Sequence, residues 1–375
     1  MDWAWIISIP VFSAYAIRIL SYLQGWKKTA RSDVNKGISA DGRASIVVPV
    51  RNEATQIGSL LEDLLKQHYP EDQYEIIIVN DHSTDHTAGV VNSYTYRYAN
   101  IRLIELETGE YGKKSAIKKG VSNARHKVII STDGDCRAPS EWLSHIMAAF
   151  GEPGTRMVAG PVILDPDSGW FRAMQSLEFL SLIGVSAGAA GLSSPIMCNA
   201  ANLAYLKEDF YRYLKTGEPG SASGDDMFLM LWLKKMHPGC IRYITSPGAV
   251  IRTLPCNNLY TLMMQRFRWV SKSRFYRDFH LNSTALLVFL TNACMLLVAV
   301  LCFFSARWIT LFVMLLMVKC AIDMLFMDKV LKYFGKRKLL LLVLPHELIY
   351  FMYVSVVGIA GQLIPYTWKG RNIQP

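Results

Sequence analysis

Residues 44–53 read ASIVVPVRNE, a short run dominated by Val and Ile that ends abruptly at Arg51 and Asn52. Seven residues are too few for a stable helix and too uniformly apolar for a half-solvated strand, so 44–50 is expected as a buried strand. Beyond it Ile57, Leu60, Leu61, Leu64 and Leu65 recur at helical spacing. Residues 74–79 (YEIIIV) repeat the strand pattern, and polar NDHSTD (80–85) leads into another helical stretch. Residues 101–106 and 127–131 supply two further strands. Strands alternating with helices predict an α/β domain with a mostly parallel sheet and right-handed crossovers. Ligands of such sheets bind beyond the carboxyl ends of the strands, and each polar motif below leaves a strand or opens a helix.

The first motif, VPVRNE, offers Pro49, Val50, Asn52 and Glu53; alone it also reads as a proline-marked strand exit with Asn52 capping a helix. In the second, Asp81 could accept hydrogen bonds from a nucleobase, or Ser83 or Asp85 could simply cap a helix. The third is Asp133-Gly134-Asp135 after VIIST. Two carboxylates with glycine between them can turn toward one hard cation, Mg²⁺ or Mn²⁺, while a diphosphate supplies more oxygens. Such an ion would offset charge growing on a departing nucleotide. The bland alternative is an Asp-Gly turn. The fourth, Gly224-Asp225-Asp226, precedes apolar MFLMLWL; Asp226 could act as a general base, or both acids could favour a helix N-terminus. The fifth is QRFRW, residues 265–269. Arginine grips diphosphate with fork-like hydrogen bonds and tryptophan offers a flat face to a sugar. In isolation the stretch is an interfacial amphipathic helix.

The chain around this domain is apolar. Of 375 residues 51% are hydrophobic and 19% charged, and mean hydropathy is +0.19. From Trp3 to Leu23 the only charge is Arg18, and Lys27, Lys28 and Arg31 follow. Starting with Asp2 and ending basic, this stretch reads as an uncleaved anchor rather than a signal peptide. Trp3, Trp5 and Trp26 would mark the interfaces. Stretches near 284–304, 308–327 and 339–363 each suffice to span a hydrocarbon core about 30 Å thick. The loop 328–338 carries Lys329, Lys332, Lys336, Arg337 and Lys338, which places it, and the basic segment after the anchor, in the cytoplasm. Four crossings then leave the central domain inside. Asp323 and Glu347 fall within spans and either face protein or snorkel. The net charge of +10 fits anionic membrane lipids; no motif for nucleic acid accompanies it. The seven scattered cysteines form no CxxC pattern and point to packing in a reducing compartment.

In this order and spacing the motifs resemble the membrane-bound branch of glycosyltransferase family 2, which includes cellulose, chitin and hyaluronan synthases and ceramide glucosyltransferase. The resemblance covers roughly residues 43–275, and QxxRW paired with an upstream DxD is its most specific part. It implies a GT-A fold in which Asp81 contacts the base and Asp133 and Asp135 handle the metal–diphosphate. Lys113 matches the lysine of the family's GKxxALNxG string, here GKKSAIKKG, with Lys118 where Asn is usual. Asp226 becomes the catalytic base and Asp225 its neighbour. Gln265, Arg268 and Trp269 would close over the diphosphate and the acceptor end. CNAANLAY (198–205) looks like the acceptor-side segment, with Asn199 and Asn202 available to a sugar.

The implied domains are an anchor over 1–26, a catalytic domain over 40–255, an interfacial segment over 256–282 and transmembrane helices over 283–365. The implied reaction is inverting: a nucleotide-sugar donor, UDP-glucose or UDP-N-acetylglucosamine, gives up its sugar to a lipid or lipid-linked acceptor at the cytoplasmic face of a bacterial inner membrane. Processive polymer synthesis is the runner-up, since QxxRW is frequent among polymerising members. Trp170–Leu192, apolar but rich in glycine, reads as either an interfacial helix that presents a lipid-borne hydroxyl or buried core. A scaffold with a degenerate transferase domain would have lost its acidic positions first, yet all four stand. A nucleotidyltransferase would show a glycine-rich phosphate loop.

Overall fold

The computed structural model describes residues 3–34, 42–216, 225–368 and 371–373. The chain divides into two compact units, Lys28–Asp165 with Ser193–Leu254, and Met1–Lys27 with Pro166–Leu192 and Pro255–Pro375. Segment 166–192 therefore groups with the C-terminal helices, not with the stretch 40–255 in which the sequence placed it. Helix α1 (Trp3–Val34) opens the chain and runs from one unit into the other.

The first unit is the α/β domain. Strand β1 (Ala44–Val50) lies between β2 (Tyr74–Asn80) and β4 (Val128–Ser131), parallel to both, and β3 (Ile101–Glu105) adds in parallel beyond β2. Every residue of β2 is buried, as expected of a strand covered on both faces. Within it, buried Glu75 accepts from Ser45 Oγ (2.7 Å), Arg125 N (2.6 Å) and Arg102 (2.7 Å). Burial alone would raise its pKa; these donors outweigh burial and hold it low.

Helices α2 (Ile57–Leu65), α3 (Thr87–Thr95), α4 (Gly112–Asn123) and α5 (Trp142–Phe150) follow the strands in alternation. The last glycine of GKKSAIKKG, Gly120, lies where a Cβ would meet Val47 Cγ1 at 2.4 Å, so glycine lets α4 seat directly on β1.

The sheet then departs from parallel. After β5 (Met157–Ala159), β6 (Val162–Leu164) and helix α6 (Trp170–Gly191), β7 (Leu203–Leu206) runs antiparallel between β4 and β5. Helices α7 (Lys207–Lys215) and α8 (Asp225–Met236) lead to β8 (Ile241–Tyr243), parallel to β5. The order is β3-β2-β1-β4-β7-β5-β8, with β6 and β9 (Ile251–Thr253) paired separately.

The second unit is helical: α6, α9 (Leu259–Val270), α10 (Phe279–Cys302), α11 (Arg307–Tyr333) and α12 (Val343–Leu363), with the first part of α1 and a short β10–β11 hairpin (Tyr366–Trp368, Arg371–Ile373). Ala4, Phe12, Met295, Leu311, Leu315 and Phe351 form its buried centre. Among the described residues five helices are long and apolar enough to cross a membrane, one of them α6. Yet α6 lies in the chain between β4 and β7, which are hydrogen-bonded neighbours. One crossing by α6 would put two adjacent strands on opposite sides of a bilayer, so α6 is not a lone crossing.

Its glycines do not break α6 either. Gly188 abuts Tyr22 of α1, whose backbone oxygen would lie 2.5 Å from an added Cβ, and Gly184 abuts Phe326 and Val330 of α11. Small residues here bring helix backbones together. Trp26, expected at an interface, is buried edge-on to Tyr333 at 5.5 Å.

Candidate active site

The loops leaving β1 and β2 are stitched to each other. Asn52 and His82 both take left-handed backbone (φ 54 and 51), which asparagine and histidine tolerate better than bulky residues. Asn52 N donates to Ser83 Oγ (2.9 Å), Thr84 N to Asn52 Oδ1 (2.8 Å), Glu53 N to Thr87 Oγ1 (2.9 Å) and Ala54 N to Asp85 Oδ2 (3.1 Å). Asn52 thus joins the two loops and does not cap α2, whose N-cap is Gln56.

Asp81, buried at the end of β2, extends the ladder by donating its N–H to Val50 O at 2.8 Å. The Arg51 guanidinium bonds Asp81 O at 2.9 Å and stands 4.0 Å from its carboxylate. His82 and Tyr111 rings lie 4.8 Å apart beside it. A buried carboxylate next in the chain to one ring of an aromatic pair suits a planar, hydrogen-bonding ligand.

The DGD turn after β4 reaches the same place. A Cβ on Gly134 would meet Val50 Cγ1 at 2.9 Å and Glu53 Cγ at 3.3 Å, so only glycine allows the turn to pack on the exit of β1. Asp133 and Asp135 flank it, half-buried, and Lys113 at the start of α4 is ion-paired with Asp133. Among the described residues no group of three or more His, Cys, Asp or Glu could by itself hold a metal. Two hard carboxylates with no further protein ligand fit a cation such as Mg²⁺, which takes its other oxygens from phosphate and water. Cys136 adds nothing to such a set: burial first, then the charges of Asp133 and Asp135, push its thiol pKa up.

Asp226 stands in the first turn of α8, and its Oδ2 accepts from Ala200 N at 3.1 Å. Asp225 pairs with Lys114 at 3.6 Å, so both lysines of the GKK string bind carboxylates of the motifs. Gly224 lies outside the described residues. Asn199 is half-buried and caps the turn 200–202 by accepting from Ala201 N (3.0 Å).

Asn202 corrects an expectation. It is 1% exposed, donates to Pro161 O and Ala249 O (2.8 Å each) and accepts from Trp142 Nε1 (2.9 Å). Every contact is internal, so it ties β5–β6, the turn before β9 and α5 together and is not open to a sugar. Asn202→Ala is expected to destabilise the protein by about 2–4 kcal/mol, since three buried partners lose their bonds. In the surviving folded fraction the KM for acceptor should not change. Thermal melting with steady-state kinetics checks this; a raised acceptor KM at unchanged melting temperature would restore the sugar-binding role.

QRFRW lies on α9, in the helical unit. Gln265, Arg268 and Trp269, spaced i, i+3, i+4, share one side of the helix and are half-buried. Phe267 packs with Val357 and Tyr366. Sequence reasoning passed over Arg266, which is buried, pairs with Glu178 of α6 (2.7 Å) and lies over the Trp269 ring (4.3 Å to its centroid). The available signal was Glu178 itself, the only acidic residue in apolar α6.

The sequence model of the family described as "Glycosyl transferase family 2" matches residues 45–214. Glycosyltransferase AglE of Haloferax volcanii is 28% identical over 118 residues, 32% of this chain and 38% of that protein. The undecaprenyl-phosphate 4-deoxy-4-formamido-L-arabinose transferase of Edwardsiella ictaluri is 27% identical over 164 residues, 44% of this chain and 50% of that one. The alignments thus span half or less of these relatives. The mannosyltransferase PcManGT from Pyrobaculum calidifontis, solved with GDP-Man and Mn²⁺, superposes with a TM-score of 0.60 at 18% identity, covering 93% of this chain and 98% of that one. The shared GT-A fold and the family match over β1 to α7 agree with the strand-end motifs: residues 45–214 carry the glycosyl transferase family 2 sequence pattern on a GT-A fold.

Proposed function

We propose that the protein is an inverting, metal-dependent transferase that moves a sugar from a UDP-sugar to a hydroxyl of a lipid or lipid-linked acceptor at a membrane surface. The observation that carries the reading is the packing of the DGD turn against Val50 and Glu53, which brings the exits of β1 and β4 together next to that of β2. Asp81 receives the base, with the His82–Tyr111 pair beside it. Lys113 turns its ammonium from Asp133 to the diphosphate. Asp133 and Asp135 hold the cation, which when bound neutralises charge on the leaving nucleotide. Asp226 takes the proton from the attacking hydroxyl. The roles of Arg268 on the diphosphate and of Gln265 and Trp269 on the acceptor rest on the QxxRW motif.

Relatives named for undecaprenyl-phosphate and dolichyl-phosphate substrates support a lipid-borne acceptor. With α6 excluded as a lone crossing, four candidate spans remain among the described residues, and with basic residues at 27–31 and 329–338 they support a cytoplasmic catalytic domain. The test is UDP and GDP release from a panel of nucleotide sugars by the full detergent-solubilised chain, with membrane lipid and Mn²⁺ or Mg²⁺. Release from a UDP-sugar that stops with EDTA and returns with excess metal is expected. Silence across the panel, or release indifferent to EDTA, overturns the proposal; a ladder of products establishes the processive alternative.

A further inference from the structure

We propose that Glu178 is a positioning residue: through Arg266 it sets the orientation of Gln265 and Trp269, the two acceptor-side side chains of QRFRW. The inference rests on the functional reading of that string and adds a residue some ninety positions upstream of it.

The carboxylate of Glu178 bonds Arg266 twice, Oε2 to NH2 at 2.7 Å and Oε1 to Nε at 3.2 Å. A fork of this kind fixes the plane of a guanidinium as well as its position. Glu178 is 8% and Arg266 4% exposed, so little solvent competes for either group. Tyr353 of α12 donates its hydroxyl to Glu178 Oε1 at 3.2 Å.

The other side of the same guanidinium faces the motif. Its NH1 donates to Gln265 Oε1, and its plane lies over the Trp269 ring, 4.3 Å from the centroid, a contact favoured by the charge on the ring face. Phe179, next to Glu178 on α6, touches the Trp269 ring as well, with centroids 6.0 Å apart. Gln265 and Trp269 are therefore both held by Arg266, and Arg266 is held by Glu178. A pair that served stability alone would have no need to direct its remaining donor and its ring contact at these two residues. Replacing the pair by apolar side chains would also be tolerated as well as, or better than, keeping it.

Three variants test the inference: Glu178→Gln, Trp269→Phe and the double variant, each assayed for UDP release from UDP-glucose or UDP-N-acetylglucosamine with Mn²⁺ and total membrane lipid. Glu178→Gln should lower kcat by about 10- to 100-fold, the scale of a misplaced reacting group, and leave donor KM within about two-fold. The double variant should lose less than the product of the two single losses, since Glu178 acts in part through Trp269. Independently of turnover, the tryptophan emission lost on Trp269→Phe should differ in size or wavelength between the parent protein and the Glu178→Gln background.

Unchanged kcat in Glu178→Gln beside a slow Trp269→Phe overturns the positioning role, as does an equal further loss in the double variant or an identical emission difference. Full activity in Trp269→Phe instead overturns the reading of the motif. Where Glu178→Gln does not fold, Tyr353→Phe takes its place in the same cycle, since it loosens the carboxylate and keeps the charge pair; there too an unaltered kcat and emission overturn the proposal.

Discussion

Asp226→Asn is expected to lower kcat by about 10²- to 10⁴-fold, the usual contribution of a positioned general base, while donor KM changes little. The substitution is nearly isosteric. Asp226 Oδ2 accepts from Ala200 N at 3.1 Å, and the amide oxygen of asparagine can accept the same bond, so the start of α8 keeps its place. What is lost is the ability to take a proton. Donor contacts assigned to Asp81, Lys113, Asp133 and Asp135 lie on other loops and are untouched. The size of the effect also reports the acceptor. A sugar or lipid hydroxyl must lose a proton as it attacks, whereas a lipid phosphate at neutral pH is already an anion and needs no base. Steady-state kinetics on the purified variant decides: turnover within a few-fold of the parent protein removes Asp226 from the role and points to a phosphate acceptor, and a raised donor KM at unaltered kcat assigns it to binding.

The parallel half of the sheet was legible because its two central strands, β1 and β2, are seven residues long and almost wholly buried, and β3 and β4 are short Ile-bearing runs beside them. β1 occupies the residues the ASIVVPV run predicts, and β2 to β4 begin or end within a residue of expectation. The other half was not. β5, β6, β8 and β9 have three residues each, too few to show a period. β7, antiparallel in the middle of the sheet, begins within CNAANLAY, a segment read as acceptor-side for its asparagines. Composition cannot separate Asn199, half-buried at a turn, from Asn202, sealed among Trp142, Pro161 and Ala249; only the return of β7 to β4 does so. The strand-end motifs were recognisable as chemistry, but their mutual packing through Gly134 joins residues about eighty apart. Lys319 escaped for a similar reason. A lysine in an apolar helix says nothing about its partner until a second helix is placed against it.

Lys319→Met is expected to be among the most destabilising single changes in the helical unit. Lys319, 1% exposed on α11, bonds Glu347 of α12 at 2.6 Å and Asp323, one turn along its own helix, at 2.8 Å. Asp323 also accepts from Tyr15 of α1 at 2.7 Å, and the lysine ammonium lies 5.5 Å from the Tyr15 ring and 5.3 Å from that of Tyr350. Asp323 and Glu347 therefore neither snorkel nor face lipid; they share one ammonium between helices. Methionine fills the volume but takes the shared ammonium away from two buried carboxylates, leaving His346, 3.9 Å from Glu347, as a basic neighbour. Breaking a buried ion pair from one side costs about 3–5 kcal/mol, which for a chain of this size corresponds to a melting temperature lower on the order of 10 °C. Removing all three charges avoids the ionic part of that penalty, although the two buried amides still need hydrogen-bond partners. The triple variant Lys319→Met, Asp323→Asn, Glu347→Gln, in which the amide oxygen at position 323 can still accept from Tyr15, should then recover part of the loss, and thermal melting of the detergent-solubilised proteins measures both. A single variant that melts with the parent protein would mean water or lipid headgroups reach the carboxylates. A triple variant no better than the single one would mean that the ion pairs add stability beyond the cost of burying them, a balance in which charges inside the helices hold α1, α11 and α12 in register more firmly than apolar packing does.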